Sequence, residues 1–593
     1  AQEQQLLARA EGNPFFLEEL AHTVREHEGQ PVALAVPNTI QAVLAARMDR
    51  LSLEAKHVLQ TAAVIGLEVP FALLQATAEA PEKALYRSLA YLQAAEFLYE
   101  TQLFPEREYT FKHALTHEVA YNSLPQEGRR ALHARCVSAL EALPRDRLAE
   151  QVERLAHHAL RGEVWDKALA YCRQAGEKAQ DRSAYREAVK SFEEALSALR
   201  HLPEQHDTIE QAIDLRLALG STLRPSRDFG RSMVYSREAE ALAATLDDPR
   251  RLGEVSLHLS YHFYIMSAYD QAIAAAQRAL ERATACGDAV LHAQANIYLS
   301  VAYRALGDYR RAINCLGQSV ASLEGERRRA RFGRVFLPAV LSRVYLTTCH
   351  AELGTFAEGK AFGEEGLRIA EAVGHTASLM IASWGIGLLA LHQGNLPRAL
   401  PLLERAMGLC QDADIPLWFP WIAATLGAAY TLGGRADDTV RLLTQTMEHT
   451  MATGMVFFQT SFYRSMGEAH LLTGRFEDAQ SLAERGMALA REHQERGNQA
   501  YALRLLGEIA ARREPPKVEQ AESHYREALA LADELGMRPF QAHCHRSLGT
   551  LYSGTGQQVK ARTELLAAIT LYRAMEMTFW LPQTEATLAR VEG

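Results

Sequence analysis

Apolar and small residues between positions 466 and 487 follow two short helical patterns separated by a turn. The turn is Thr473-Gly474-Arg475, in which glycine supplies the backbone freedom that a tight turn needs. Beyond it, apolar and small residues recur every three or four positions, which is the signature of one packed helix face. Those residues are Phe476, Ala479, Leu482, Ala483 and Gly486. The segment predicts a pair of helices that approach closely where Gly467 meets Ala479.

The same pattern recurs along most of the chain. A small residue opens each second helix, and the series is Ala188, Ser232, Ala272, Ala312, Gly359, Ala399, Thr439, Ala479, Ala521 and Ala561. The spacing within this series is nearly constant and grows only where a loop is longer. The longest interval places an insertion just before the repeat that Gly359 marks. A regular spacing of about 40 indicates an internal-repeat protein.

The repeats resemble the tetratricopeptide repeat, which has a small residue and a tyrosine in the first helix, glycine at the turn, and small and apolar residues in the second helix. The residues that show it best are Leu548-Gly549, Tyr552, Gly556, Ala561, Leu565 and Ala568. The usual period is about 34, and about six further residues per repeat lengthen each helix by roughly a turn. The resemblance implies an all-α superhelix of about ten repeats over residues 164–593, with a concave groove for a protein or small effector.

A different pattern precedes the repeats. Helical spacing predicts helices that begin at the caps Asn38 and Ser52, a short helix around Phe71 and another that Pro81 opens. Two β-prone runs then follow, at residues 97–101 and 109–113. Helices followed by a hairpin predict a small winged-helix domain with a β-hairpin.

We place this domain at residues 38–124, and further helices predict a connector over 125–163. Residues 1 to about 28 predict one helix that is interrupted near its start by residues 11–16, where Asn13 can cap and Pro14 can begin the part that follows.

The amino-terminal third of the chain carries a second resemblance, to the end of a signal-transducing ATPase with numerous domains (a STAND ATPase). The segments that carry it are Gly12-Asn13-Pro14-Phe15-Phe16, Val36-Pro37-Asn38-Thr39-Ile40, Phe111-Lys112-His113-Ala114-Leu115, Tyr121 and Arg130 to His133. In that family a P-loop ATPase is followed by a winged helix and a helical-repeat sensor. Members are often fused to adenylate cyclase, protein kinase or LuxR-type DNA-binding domains. The resemblance implies that residues 1–30 are the remnant of the ATPase lid.

One departure from the family is decisive, because no GxxxxGK[ST] phosphate loop occurs in the sequence. We therefore expect no catalytic activity and no cofactor in this chain, and ATP or ADP only in the parent ATPase. The resemblance implies that Pro14 packs against adenine and that His113 senses the phosphate of ADP. Alternatively, Pro14 only begins a helix, and His113 packs at a strand end beside Tyr109 and Phe111.

Composition narrows the partners and the setting. A formal charge of −9 argues against nucleic acid as the main partner. The seven cysteines are scattered without a CxxC pair, which disfavours disulfides and structural zinc and favours a cytoplasmic location. No apolar run reaches the length of a membrane helix, so we expect no membrane contact.

Histidine clusters do not predict a metal site. His113 and His117 have helical spacing, but Ala114 stands where the metalloprotease pattern requires glutamate. We interpret His157-His158 and His543-Cys544-His545 as helix-surface residues, because adjacent helix positions point in different directions.

Basic residues do not predict a nucleic-acid surface. Residues 81–113 hold four positive and five negative side chains, too few positive charges for duplex DNA. The densest basic run, Arg327 to Arg329 with Arg331 and Arg334, coincides with the insertion. We favour a solvated, extended helix there over an anion or nucleic-acid patch.

Register along the repeats suggests an effector groove with an aromatic floor and an arginine wall. Its candidate residues are Trp384, Trp418, Trp421, Phe457, Phe458, Phe462, Arg464, Glu468, Arg504, Glu508 and Arg546. Such a groove suits a peptide or ligand with an acidic group. The alternative is that the aromatic residues fill gaps between repeats and the charges form solvated pairs.

These observations predict the sensor and autoinhibitory arm of a cytoplasmic signalling ATPase, held in cis beside the upstream ATPase domain. An effector in the groove shifts the population between arrangements of the arm, and an effector-driven oligomer fits this scheme. Two alternatives stay open: a tetratricopeptide scaffold without nucleotide control, and the arm of a transcriptional regulator.

Overall fold

A computed structural model describes residues 39–592, except 103–106, 143–144, 183, 225–227, 414, 416 and 452–457. The predicted lid remnant at residues 1–30, with Pro14, lies outside this part. The chain divides into two compact units, up to Leu215 and from Arg216 onward, while the predicted domain limits stay predictions. Among the described helices, none combines the length and the apolar character that a membrane crossing requires.

The first unit begins with short helices and a small sheet. Its elements are α1 (Ile40–Asp49), α2 (Leu53–Ile65), β1 (Glu68–Pro70), α3 (Phe71–Ala78), α4 (Glu82–Ala94), β2 (Leu98–Gln102) and β3 (Glu108–Phe111). Ser52 caps α2 as predicted, because its hydroxyl accepts a hydrogen bond from the Ala55 amide at 3.2 Å. At α1 the capping side chain is that of Thr39.

The hairpin predicted from the two β-prone runs is confirmed, since β2 and β3 pair antiparallel. The structure adds β1, which pairs with the other edge of β3 and places Val69 opposite Tyr109. Val69, Tyr109 and Phe111 are buried, so one face of the sheet covers the core. β1 was not predicted because a strand of three residues ending in Pro70 is too short to show a period of two.

Helices complete the first unit and lead into the repeats. They are α5 (Ala114–Asn122), α6 (Gln126–Glu141), α7 (Arg145–Glu150), α8 (Val152–Arg161), α9 (Trp165–Asp181), α10 (Tyr185–Leu199) and α11 (His206–Leu223), which contains the division between the units. The pair α9 and α10 already shows the repeat pattern, because Ala188 is fully buried and a β-carbon added at Gly176 would lie 2.6 Å from the Phe192 ring.

The second unit is an array of tetratricopeptide-like helix pairs. Its helices are α12 (Phe229–Leu246), α13 (Pro249–Ile265), α14 (Tyr269–Cys286), α15 (Ala289–Leu306), α16 (Tyr309–Ser322), α17 (Pro338–Leu353), α18 (Phe356–Val373), α19 (Thr376–Gln393), α20 (Leu396–Asp412), α21 (Phe419–Leu432), α22 (Ala436–Met451), α23 (Gln459–Leu472), α24 (Phe476–Glu492), α25 (Arg496–Arg512), α26 (Val518–Leu535), α27 (Arg538–Gly554), α28 (Gln558–Ala574) and α29 (Leu581–Glu592). The predicted all-α superhelix of helical repeats is confirmed.

Small residues sit where the two helices of a pair cross. Every residue of the series that sets the register is buried. Where the residue carries a hydroxyl, it donates to a backbone carbonyl of the preceding helix, at 2.6 Å from Ser232 to Gly220 and at 2.7 Å from Thr439 to Gly427. A small or hydrogen-bonded side chain therefore allows the close approach on which the repeat depends.

Repeats that are distant in the sequence also contact one another in the second unit. Helix α15 contacts α25, and α17 contacts α27. A β-carbon added at the turn glycine Gly307 would lie 3.1 Å from Leu535, and one at Gly394 would lie 2.7 Å from Phe579. Successive turns of the superhelix therefore pack against each other, and the first helices enclose an interior.

Two sequence interpretations are wrong. The arginine run is not an extended helix: Gly325–Arg329 forms a short 3₁₀ helix, and residues 330–337 are irregular. Gly325 and Gly333 adopt φ values of +66° and +70°, which end helical geometry. The side chain of Arg334 lies inward and donates to Glu254 at 2.6 Å.

The adjacent histidines are not all helix-surface residues. His158 is 1% exposed and Cys544 is fully buried. His543 contacts the Tyr572 hydroxyl at 2.8 Å and the Trp580 ring. Side chains at adjacent positions do point in different directions, but both can be buried when neighbouring helices cover more than one side of the helix.

Candidate effector pocket

The first helices of the array, α13 to α25 in alternation, surround an interior pocket in the second unit. Its cavity volume is about 100 Å³. A cavity of about 150 Å³ accommodates benzene, so this pocket suits the end group of a ligand. The predicted concave groove is thus narrowed to an enclosed space by the packing of successive superhelical turns.

Tryptophans form one wall of the pocket. Trp384 on α19 is 1% exposed and donates its indole N–H to the Thr425 hydroxyl at 3.0 Å. Thr425 in turn donates to the backbone carbonyl of Trp421 at 2.9 Å. The rings of Trp384 and Trp421 lie 5.9 Å apart, nearly perpendicular. This chain of hydrogen bonds fixes the Trp384 indole, and the Trp421 indole packs edge-on against it.

Two glutamates face the pocket, and protein donors already occupy their oxygens. Glu495 is 2% exposed and accepts from the hydroxyls of Tyr269 and Thr460 and from the amide of Asn498, at 2.6, 2.7 and 2.8 Å. Burial, together with the Glu495 charge beside it, raises the pKa of Tyr269 well above its ordinary value. The phenol therefore keeps its proton and remains a donor.

The second glutamate, Glu352, accepts from the Tyr501 hydroxyl at 2.8 Å. Burial and this carboxylate raise the pKa of Tyr501 well above its ordinary value. His392 lies 4.0 Å from the same carboxylate, and burial lowers the pKa of its imidazole although Glu352 opposes that shift. Both carboxylates, Glu352 and Glu495, therefore accept hydrogen bonds from uncharged side chains.

Two arginines face the same pocket and rest against rings. Arg304 lies over Trp421 at 5.2 Å and over Tyr345 at 5.4 Å, and its buried Nε has no hydrogen-bond acceptor. Arg464 lies over the Tyr501 ring at 4.2 Å. Among the described residues, neither guanidinium has a carboxylate oxygen within 4.0 Å. Both guanidiniums therefore line the pocket without an ion-pair partner among the described residues.

The predicted groove residues separate into two groups. Trp384, Trp421, Phe458 and Arg464 line the pocket. Trp418 lies behind this wall, with its ring 5.4 Å from that of Phe336 and 5.9 Å from that of Trp384. Phe462 is buried in the same hydrophobic cluster, and Phe457 lies outside the described residues.

Glu468, Arg504 and Glu508 form a separate ion-pair network. Arg504 lies 3.7 Å from Glu468 and 3.4 Å from Glu508, and Glu508 also pairs with Arg512 at 3.2 Å and accepts from the Ser547 hydroxyl at 2.8 Å. Burial alone would raise the pKa of Glu508, but the arginines outweigh it and lower that pKa.

Arg546 is half-buried on α27, and its charge also lowers the pKa of Glu508. This predicted groove residue therefore lies beside the ion-pair network.

Sequence reasoning missed Arg304, Glu352 and Glu495 because no local pattern places them at the pocket. Tyr269 and Glu495 are separated by 226 residues in the chain. They meet because superhelical turns stack, and the repeat register does not reveal how many repeats complete a turn.

The predicted nucleotide contact at His113 lies in the first unit. His113 stands directly before α5 and is half-buried, beyond the buried Phe111 of β3. Its role toward ADP stays a prediction, as does that of Pro14.

No known family model matches the chain. The chain is 30% identical over 221 residues to an uncharacterised protein, R02095, of Rhizobium meliloti (strain 1021). The match covers 36% of this chain and 21% of that protein.

Solved structures with a similar course of the chain are helical-repeat proteins. A Rap protein complexed with competence and sporulation factor is 13% identical, with a TM-score of 0.45, over 62% of this chain and 98% of that chain. A STAND protein with a tetratricopeptide repeat sensor from Pyrococcus horikoshii is 12% identical, with a TM-score of 0.33, over 98% of this chain and 71% of that chain. The functional assignment therefore rests on the side chains of the pocket.

Proposed function

We propose that the repeat array is a regulatory, effector-binding domain whose interior pocket takes a ligand with a carboxylate or another acidic group. The observation that carries this proposal is the difference between the partners of the arginines and those of the glutamates in the pocket. Arg304 and Arg464 rest against rings, while Glu352 and Glu495 are hydrogen-bonded by phenols and other neutral donors. An acidic group between the guanidiniums supplies the charged hydrogen-bond acceptor that the two glutamates, already bonded to neutral donors, do not give them.

The size of the pocket sets which part of a ligand it takes. About 100 Å³ holds a terminal carboxylate with a few neighbouring atoms, and the aromatic wall around it packs on an apolar side group. A small acidic molecule or the carboxy-terminal residue of a peptide has these properties. A folded protein domain does not enter such a space.

The site also gives a physical route to regulation. Arg304 belongs to α15 and Arg464 to α23, the first helices of two repeats that are four repeats apart in the array. A ligand that binds both arginines favours the arrangement in which these repeats enclose the pocket. By linkage, it shifts the population toward that arrangement.

In the wider protein, this role fits the sensor and autoinhibitory arm of a cytoplasmic STAND ATPase. The order of lid remnant, winged helix and repeats supports it, through the sequence resemblance of the amino-terminal third of the chain. ATP or ADP then binds to the parent ATPase domain in cis, and this chain hydrolyses neither.

The alternatives are a tetratricopeptide scaffold and the arm of a transcriptional regulator. An upstream reading frame that encodes a P-loop favours the ATPase, and one that lacks it favours the scaffold.

The pocket itself is tested with paired probes. One pool contains N-acetylated dipeptides with free carboxylates, and the other contains the same dipeptides as carboxy-terminal amides. Fluorescence of Trp384 and Trp421 reports binding, because both indoles line the pocket. We expect saturable binding of the carboxylate pool and at least about tenfold weaker binding of the amides, since hydrogen bonds to charged groups contribute about 1.5–3 kcal/mol.

Arg464→Gln should weaken the carboxylate binding by a similar factor. Arg311→Gln is the matched control, because that arginine is 71% exposed on α16. Equal binding of both pools, or an Arg464→Gln variant that binds like the unmodified chain, contradicts the acidic-ligand proposal.

A further inference from the structure

Three histidines of the first unit converge although they are distant in sequence. His133 lies on α6, and His157 and His158 lie on α8. One ring nitrogen from each lies within 4.8 Å of the other two, and the Nδ1 atoms of His133 and His158 are 2.8 Å apart. His133 and His158 are each 1% exposed, whereas His157 is exposed. The cluster is therefore fixed on its inner side and open to solvent on its outer side.

We propose that His133, His157 and His158 form a three-imidazole site for a divalent transition-metal ion such as Zn²⁺, with its fourth coordination position open to solvent. Imidazole nitrogen is a preferred ligand of Zn²⁺, Cu²⁺ and Ni²⁺. In a tetrahedral site with Zn–N distances of about 2.0–2.1 Å, two ligand nitrogens lie about 3.3 Å apart. The Nδ1 atoms of His133 and His158 need to separate by only about 0.5 Å to reach that distance.

A second residue holds one ligand in the required form. The Tyr121 hydroxyl lies 3.1 Å from Nε2 of His133. When Nε2 donates its proton to that oxygen, the lone pair of Nδ1 is free to bind a metal. Metal-binding histidines usually make such a hydrogen bond through their other nitrogen. Arg129 lies 5.2 Å over the Tyr121 ring and helps to fix it.

Burial disfavours the charged form of the three imidazoles. Burial, with smaller contributions from neighbouring positive charges, lowers the pKa of His133 and of His158 to about 3. Burial also lowers the pKa of His157.

The arginine and lysine side chains whose charges lower the pKa values of these histidines are Arg129, Arg154, Arg161 and Lys190. They oppose a dication, and they favour an anion such as chloride or hydroxide as its fourth ligand.

Isothermal titration with Zn²⁺ tests the site on the full chain. We expect one Zn²⁺ per chain at this site, and a loss of at least tenfold in affinity in His157→Gln, which removes an exposed ligand without disturbing the core. Tyr121→Phe should lower the affinity by a smaller factor. His206→Gln is the control, because it removes one member of a separate, mostly exposed group with Asp207 and Glu210.

A second measurement needs no variant. Co²⁺ bound to the unmodified chain should show the intense visible bands of tetrahedral coordination. The absence of Zn²⁺ binding, unchanged binding in His157→Gln, loss of binding in His206→Gln, or an octahedral Co²⁺ spectrum would each overturn the proposal.

Discussion

Arg464 and Arg504 occupy equivalent positions of successive repeats, yet their surroundings differ. Arg504 lies between Glu468 and Glu508. Arg464 lies over the Tyr501 ring, and the nearby Glu352 accepts a hydrogen bond from that same tyrosine. The guanidinium of Arg504 is neutralised within the fold, and that of Arg464 presents its charge to the pocket. Position in a repeat thus determines where a side chain lies, but the residues around it determine what it does.

The largest expected difference is in stability. Arg504→Gln leaves Glu468 and Glu508 without their shared partner, and we expect a loss of about 3 kcal/mol, as when one member of a buried ion pair is removed. Arg464→Gln loses only its contact with a ring, worth about 1 kcal/mol. Urea denaturation of both variants measures the difference. Equal loss of stability in the two would show that Arg464 is a structural residue as well.

A smaller effect is expected at Gly507, which lies on α25 with Arg504. A β-carbon at Gly507 would lie 2.6 Å from the ring of Tyr525, and that ring is 1% exposed and cannot move away. Gly507→Ala should therefore cost about 2 kcal/mol through overpacking. Gly408→Ala is the matched control, since a β-carbon there has no neighbour within 4 Å.

In Gly408→Ala we expect a gain of about 0.5–1 kcal/mol from helix propensity. The two melting temperatures should thus shift in opposite directions. A shift in the same direction would mean that the close crossing of α25 and α26 is not required.

The smallest expected effect is the change in unfolding free energy at acid pH. The pKa of Glu508 is lower in the folded chain than the unfolded value of about 4.3, because the arginines outweigh burial. Its contribution to stability is therefore complete above about pH 4.3 and is lost as the pH falls through the folded pKa. Unfolding free energies of the unmodified chain and of Glu508→Gln should differ more at about pH 7 than at about pH 3.5. A constant difference would exclude the ion pair as the source.

Local pattern was enough to predict the helix pairs. Small residues at helical spacing, such as Ala479 and Ala561, identify the crossing points because a larger side chain does not fit there. Turn glycines such as Gly474, with φ of +76°, mark the breaks. Both signals come from residues within a single helix pair, so the sequence of that pair is enough to predict its fold.

Contacts between repeats that are distant in the sequence could not be predicted from local pattern. The pocket needs Arg304 and Arg464 together, and the histidine cluster needs His133 beside His158. Arg304 and Arg464 occupy different positions within their repeats, and the distance in sequence from His133 to His158 is not a helical spacing within one element. Those predicted groove residues that do line the pocket, such as Trp384, were found because their register was right. The closure of the groove depends on side chains from other turns, whereas Arg504 pairs with Glu508 of its own helix and Glu468 of the preceding repeat.

The stacking of superhelical turns also bears on how the array unfolds. In a solenoid whose repeats contact only their neighbours, the ends fray first and the stability is a sum of local terms. Here Leu535 covers the turn at Gly307, and Phe579 covers the turn at Gly394. Fraying of the last hairpins would uncover repeats in the middle of the chain. The array should therefore melt as one cooperative block, and loss of its final helices should loosen the pocket without removing any residue that lines it.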